Sequence, residues 1–282
     1  MRSAAGDARW GSGVAARVLD GRCVLKVADG SIASKRHGGA RIWDADSLSE
    51  PHGQADKSGR VRRMFDAIAP TYELVNSVFS LGRDRYWRRR CVELAGPGSG
   101  DVLLDVACGT GDFCRAFLEA PRPPGRVIGC DFSENMLRLA ADRSRRRVRW
   151  VRADAMRLPV ADECATIVSC GFGLRNFQSA DVALAEMCRV LKPGGRAIIL
   201  EFSRPDHKII RGLYEFYCFR VMAVGATMIS RDRTGAYRYL PHSVASFPSP
   251  GEIVGALKRA GFSTAVVRPM TFGAVSAYLA TR

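Results

Sequence analysis

No apolar run in this 282-residue chain reaches the ~20 residues that a helix needs to cross a bilayer. The greasiest segment, Ile209 to Ile229, is interrupted by Arg211, Glu215 and Arg220, which argues against a spanning helix and leaves surface attachment open. The 9 cysteines include no C-x-x-C pair and no Cys/His spacing suited to a metal. Reduced thiols packed as small core residues of a cytoplasmic protein are therefore expected, with neither disulfides nor zinc. Acids are scarce: 28 Asp+Glu stand against 43 Lys+Arg, a formal charge of +15, with arginines clustered at Arg83 to Arg90 and Arg138 to Arg152. Nucleic acid, an anionic lipid surface and a plain solvated face all accommodate that excess.

Residues 1–58 mix Gly, Ser, Ala and Asp with Arg and sustain no period of 2 or 3.6, apart from a β-like piece at Cys23 to Val27. They read as a disordered or poorly ordered extension. The Asp content is too high for an organelle transit peptide, and no apolar secretory core is present. One domain is expected over 59–282, and loss of the extension is expected to leave activity intact.

From Val61 the pattern becomes regular. Met64, Phe65, Ile68 and Ala69 share a helical face, Tyr72 to Leu81 forms a second helix, and Tyr86, Trp87 and Val92 lie on a third. Strand-like runs at Leu103–Val106, Val127–Asp131, Val148–Arg152, Thr166–Cys170 and Ala197–Phe202 then alternate with helices. That order predicts an α/β fold, a doubly wound and mostly parallel sheet with its ligand beyond the carboxyl ends of the strands. The last third is less regular: an aromatic helix from Ile209 to Met228, a loop carrying Tyr237 to Leu240, a helix from Gly251 to Ala260, and two strand-like runs that suit a C-terminal antiparallel hairpin.

The first strand runs into Ala107-Cys108-Gly109-Thr110-Gly111-Asp112, a glycine turn opening a helix. Glycine lets the backbone turn sharply and lets a ligand lie against main-chain N–H groups. A dinucleotide fingerprint needs a third glycine where Cys114 stands, and Asp112 beside the loop repels phosphate. The same loop suits a cofactor with an ammonium and a sulfonium and no phosphate, which describes S-adenosylmethionine. Asp131, ending the second strand, is placed to accept both ribose hydroxyls. Asp154 ends the third, where its carboxylate could take the adenine amino group while Ala155 leaves room for the ring.

In these features the chain resembles the class I (Rossmann-like) methyltransferases, and among them the menaquinone and ubiquinone biosynthesis C-methyltransferases. The likeness covers about residues 61–282 and rests on three stretches. They are Tyr72-Glu73-Leu74-Val75-Asn76 through Ser80-Leu81-Gly82 to Trp87, Phe172-Gly173-Leu174-Arg175-Asn176, and Arg189 to Gly195 running into Leu200-Glu201-Phe202-Ser203. Departures are Glu73 for the usual Asp, Val75 for Met, Asp84 and Tyr278 for His, and Gly171 where members often carry a serine.

The resemblance implies a helical N-terminal cap on the sheet and methyl transfer from S-adenosylmethionine to a ring carbon of a prenylated quinol, demethylmenaquinol to menaquinol. It implies cofactor-binding roles for Asp105, Gly109, Thr110, Gly111, Asp131, Asp154 and Ala155, and no metal. Arg175 and Asn176 are expected to stabilise the developing phenolate, with Tyr72 beside them; Tyr72, His242 and Glu201 are candidate bases by their chemistry. The aromatic helix is a candidate lid. A lipid substrate implies peripheral visits to the inner membrane face, with a homodimer or biosynthetic complex as the protein assembly. No adenine-methylating Asn/Asp-Pro-Pro-Tyr motif or aromatic-basic RNA module is present, so no nucleic acid partner is expected.

Overall fold

A computed structural model of the chain describes residues 42–144 and 147–282. Four helices precede the first strand: α1 (Ala45–Ser49), α2 (Lys57–Ile68), α3 (Tyr72–Phe79) and α4 (Arg83–Ala95). Strands and helices then alternate through β1 (Val102–Val106), α5 (Asp112–Leu118), β2 (Arg126–Asp131), α6 (Glu134–Arg143), β3 (Arg149–Arg152) and β4 (Ala165–Gly171). A 3-10 turn (Leu174–Asn176), α7 (Ala180–Val190) and β5 (Leu191–Phe202) follow. Next, α8 (Lys208–Phe216) continues through a π-helical turn (Tyr217–Met222) into α9 (Ala223–Ser230). The chain ends with α10 (Ala236–Ala245), α11 (Pro250–Arg259), β6 (Thr264–Met270) and β7 (Val275–Thr281).

The strands form one seven-stranded sheet in the order β3-β2-β1-β4-β5-β7-β6. All pairs from β3 to β5 are parallel, and β7 runs antiparallel to both β5 and β6. The expected doubly wound sheet and C-terminal hairpin are both present. Successive strand residues point to opposite faces, so the apolar pairs Leu103–Leu104, Ile167–Val168 and Ile198–Ile199 feed two cores. Leu104, Val168 and Ile199 join Leu184, Met187 and Leu257 on the side of α7 and α11. Leu103, Ile167 and Ile198 join Trp87, Cys91 and Phe117 on the side of α4 and α5. The eight described cysteines are free thiols, seven of them buried. Strand order reverses between β1 and β4, the switch point at which such sheets open a crevice.

Two expectations need correcting. The boundary at residue 58 falls inside packed structure. Trp43 is fully buried and stacks on Tyr239 at a centroid distance of 4.2 Å, Asp44 and Ser47 cap α1 reciprocally, and Lys57 is buried. A short segment held by a few side chains has no periodicity to read. The Cys23–Val27 piece lies outside the described residues. The second correction is at Tyr237–Leu240, expected as a loop, which is the start of α10. There the Asp232 carboxylate accepts the backbone N–H groups of Gly235 and Ala236, and burial of Tyr237 and Tyr239 holds the helix despite Pro241.

Candidate active site

At the carboxyl end of β1 the backbone turns through two positive-φ positions, Ala107 at 55° and Gly109 at 54°, before Gly111 at 84° opens α5. Gly111 is doubly constrained, since a Cβ there would also lie 2.6 Å from the Trp150 ring. The turn is tied to the neighbouring strand end through one carboxylate. Gly109 donates its N–H to Asp131 Oδ2 at 2.8 Å, and Ser133 donates to Oδ1 at 2.8 Å. Each oxygen thereby keeps acceptor capacity. Burial of Asp131 pushes its pKa up to about 6, the two N–H bonds working in the opposite direction. Along the next strand end, Asp154 Oδ1 accepts the Met156 N–H at 2.9 Å.

These groups line a cleft, open to solvent, at the switch point of the sheet. Of the residues expected in the site, Gly109, Asp131, Asp154, Ala155, Tyr72 and Asn176 are brought together on its wall; Asp105, Thr110, Gly111 and Arg175 are not. Asp105 lies beneath the turn, wholly buried, accepting hydrogen bonds from Ser169 Oγ at 2.6 Å and Cys114 Sγ at 3.2 Å. Its burial raises the pKa to about 7. Asp105 therefore ties β1 to β4 and α5. The lining contains two carboxylates and no lysine, arginine or histidine.

The opposite wall is built from distant parts of the chain. Phe172, with φ at 58°, is buried between Gly171 and Gly173 and packs on Phe202 at 4.5 Å. A bulky residue in the left-handed region is a strained position, held here by the Phe172 N–H bond to the Leu200 carbonyl at 2.7 Å. Arg175 turns behind this wall. Its Nη1 bonds Glu201 at 2.7 Å and the Phe172 carbonyl at 2.8 Å. The Glu201 carboxylate also accepts the backbone N–H groups of Arg175 and Phe202, so both its oxygens are engaged. Asn176 donates to the Phe172 carbonyl at 3.0 Å and accepts the Tyr239 hydroxyl at 3.1 Å. Tyr72, on α3, has its pKa raised by desolvation, against the pull of Arg88 and Arg175.

Glu73 and Asp84 have structural partners. Glu73 pairs with Arg115 at 2.9 Å and with Arg143, joining α3 to α5 and α6, while Asp84 pairs with Arg88 at 2.7 Å. His242 packs against Phe219 away from the cleft lining, and the aromatic helix contributes no residue to that lining.

Sequence reasoning missed Ser58, Phe65, Phe132, Phe177 and Gln178, all on the wall, and the buried Lys57 behind them. Lys57 Nζ donates to the Phe177 carbonyl at 2.6 Å and meets His52 Nδ1 at 3.0 Å, while His52 Nε2 bonds the Ser243 carbonyl at 2.9 Å. Burial lowers the Lys57 pKa to about 8, helped by the Arg175 charge. The signal available was the lysine's place at the start of an apolar-periodic helix, which is too common to single out.

The ubiE/COQ5 methyltransferase family model matches residues 53–282. The Ubiquinone/menaquinone biosynthesis C-methyltransferase UbiE of Pseudomonas entomophila is 37% identical over 230 residues, 80% of this chain and 90% of that protein. The protein of the same name from Geobacter sulfurreducens is 39% identical over 228 residues, 79% of this chain and 88% of that protein. Among solved structures, a SAM-dependent methyltransferase of Thermotoga maritima superposes with a TM-score of 0.57 at 20% identity, covering 78% of this chain and 99% of that one. One from Aquifex aeolicus gives 0.52 at 14% identity, covering 74% and 97%. These structures share the fold.

Proposed function

We propose, from the premise that this chain belongs to the ubiE/COQ5 methyltransferase family, that it methylates a ring carbon of a prenylated quinol in quinone biosynthesis, with demethylmenaquinol as the acceptor. The cofactor is S-adenosylmethionine, which supplies an electrophilic methyl group on a sulfonium. The observation that carries this reading is the donor set of the cleft. Asp131 and Asp154 face it with no cation on the lining, which suits a phosphate-free, positively charged nucleoside and opposes a pyrophosphate. The free acceptor capacity on both Asp131 oxygens matches a vicinal diol, and Ala155 beside Asp154 leaves a shallow floor for a flat ring.

On the acceptor wall, carbon nucleophilicity rises as negative charge develops on the quinol oxygen. Tyr72, whose ordinary pKa of 10.0 burial raises further, is protonated at neutral pH, so its hydroxyl can donate to that oxygen. Asn176 uses one amide hydrogen on Phe172 and keeps one for the substrate. Arg175 works by position, fixing the strained Phe172 carbonyl and the turn that carries Asn176. Apolar side chains such as Phe65, Phe132, Met136 and Phe177 exclude water from the rest of the cleft. Alignment of this kind can supply several of the ~7–11 kcal/mol available to positioning.

Calorimetric titration with S-adenosylmethionine, followed by turnover on a naphthoquinol and a benzoquinol, tests the assignment. Cofactor binding with methyl transfer to the naphthoquinol is expected. Binding without turnover on either quinol would remove the quinol reading, and turnover confined to the benzoquinol would move the acceptor to a ubiquinone precursor.

A further inference from the structure

The aromatic helix expected as a lid packs by Cys218, Met222, Ala223 and Ala226 and presents an apolar stripe to the outside. α8 has no buried residue, and Ile209, Leu213 and Phe216 recur on it at helical spacing in exposed positions. The stripe continues past the π-helical turn through Val224 and Met228, the latter 74% exposed. α3 lies alongside: the Tyr217 hydroxyl donates to the Phe79 carbonyl at 2.7 Å, and Phe79 abuts the backbone of α9 at Gly225. From α3 the exposed side chains Leu74 and Val78, and from the turn after it Leu81, add to the apolar surface. A run of large exposed apolar side chains on this scale exceeds the scattered exposure normal for a soluble monomer. The same short helix α3 carries Tyr72 into the cleft, so the apolar surface begins beside the proposed acceptor wall.

The rim of this surface is cationic. Lys208, Arg220, Arg231 and Arg233 on the long helix and its exit, with Arg83 and Arg85 in the first turn of α4, are exposed, and none enters an ion pair among the described residues. Nearby acids are already engaged. Glu215 pairs with Arg204 at 2.7 Å, Asp84 with Arg88 at 2.7 Å, and Asp232 accepts backbone N–H groups at the start of α10. Against the six cations stands the exposed Asp206.

We propose that the α8–α9 helix and the outer face of α3 are the surface by which this protein docks on an anionic lipid bilayer. The apolar stripe enters the acyl boundary while the arginines meet lipid phosphates, the arrangement of an interfacial helix. A second copy of the chain is a poorer occupant, because two like-charged rims would be brought face to face. The proposal rests on the quinol reading only for its purpose, delivery of a lipid acceptor to the cleft.

Co-sedimentation of the full chain with phosphatidylcholine vesicles, with and without phosphatidylglycerol, tests it. The chain should pellet with the anionic vesicles and be released by salt. Two apolar variants, Leu213→Gln/Met228→Gln and Ile209→Gln/Phe216→Gln, should each lower partition on the order of tenfold or more. Arg220→Gln/Arg231→Gln/Arg233→Gln should lower it roughly a hundredfold at low salt and flatten the salt dependence.

A chain that stays in the supernatant with anionic vesicles, or apolar variants that pellet like the parent, would overturn the proposal. So would a dimer in sedimentation velocity that the apolar substitutions dissociate, which would assign the face to a second copy. The vesicles contain no quinol, so turnover on a tail-less, water-soluble quinol reports separately. Loss of that turnover with vesicle binding intact would sink the quinol reading and leave the docking face standing.

Discussion

The two walls of the cleft are made in different ways. The cofactor wall comes from three consecutive strand ends, each followed at once by a turn, and its main tie is Asp131 to the glycine turn 22 residues earlier. The acceptor wall is assembled from buried polar groups far apart in sequence. Lys57 and Phe177 are separated by 120 residues, His52 and Ser243 by 191, and Asn176 and Tyr239 by 63. A local strand–turn–helix unit holds its ligand groups with little help from the rest of the fold. A wall built from long-range bonds depends on every partner being present, because a buried polar or charged group left unpaired is costly.

The largest effect is therefore expected on the acceptor side. Glu201 is fully buried and compensates the Arg175 charge at 2.7 Å. Glu201→Gln keeps the shape but leaves a buried cation without its counter-charge, a change of the kind that costs about 3–5 kcal/mol. Urea unfolding should show the midpoint falling with an unchanged m-value, and cofactor affinity of the folded fraction should hardly move. A loss below about 1 kcal/mol would mean that the pair does not hold this wall, and the contrast between the walls would fail.

On the cofactor side the loss should appear mainly in binding, with a smaller cost in folding from the Gly109 and Ser133 N–H groups left without their acceptor. Asp131→Ala removes both acceptors for a ribose diol and should weaken S-adenosylmethionine binding about a hundredfold, from two hydrogen bonds to a charged group at roughly 1.5 kcal/mol or more each. Retained circular dichroism would separate this from unfolding, and parental affinity would refute the ribose assignment. The pH dependence sharpens the test. Burial holds the folded-state pKa near 6, above the ordinary 3.8, so the folded protein keeps a proton that the unfolded chain has released. The group therefore lowers stability as pH rises from 3.8 to about 6. Hydroxyl donors prefer the carboxylate, so affinity should rise over the same window and level off above it. Asp131→Asn should flatten that rise, and any slope it leaves belongs to other groups, among them Asp105 with its pKa near 7.

The same contrast explains what could be read in the sequence. The sheet, its helices and the terminal hairpin followed from alternating apolar runs, since a strand buried on both faces leaves a continuous apolar signature. The glycine turn and the acids at the ends of β2 and β3 were legible because each is a local pattern. The acceptor wall was legible only in part. Tyr72 and Asn176 were reached through a family likeness, whereas Lys57, Gln178 and Phe177 act through partners that no spacing rule connects. Residues 42–58 lacked a period because Trp43 and Lys57 anchor them singly. In the aromatic helix, apolar content showed that a face would be sticky but not which way it would point; Leu213 and Phe216 turned out exposed.

The smallest predicted effect lies where the walls meet, at the end of β4. Gly171 lines the cleft, and a Cβ there would lie 3.0 Å from the Phe113 ring. That ring is buried and packs on Phe117 at 5.4 Å, so it can yield only by a few tenths of an ångström. Gly171→Ser should therefore cost on the order of 1 kcal/mol by crowding and change cofactor affinity less than about tenfold, since its hydroxyl adds one polar group to the cleft. If Phe113 is the reason that this chain has no side chain at 171, trimming the ring should relieve the cost. In a double-mutant cycle with Phe113→Leu, the serine should then be less harmful than in the parent, with a coupling of at least about 0.5 kcal/mol. Additive losses would show that the two positions are independent and that the glycine answers to the cleft alone.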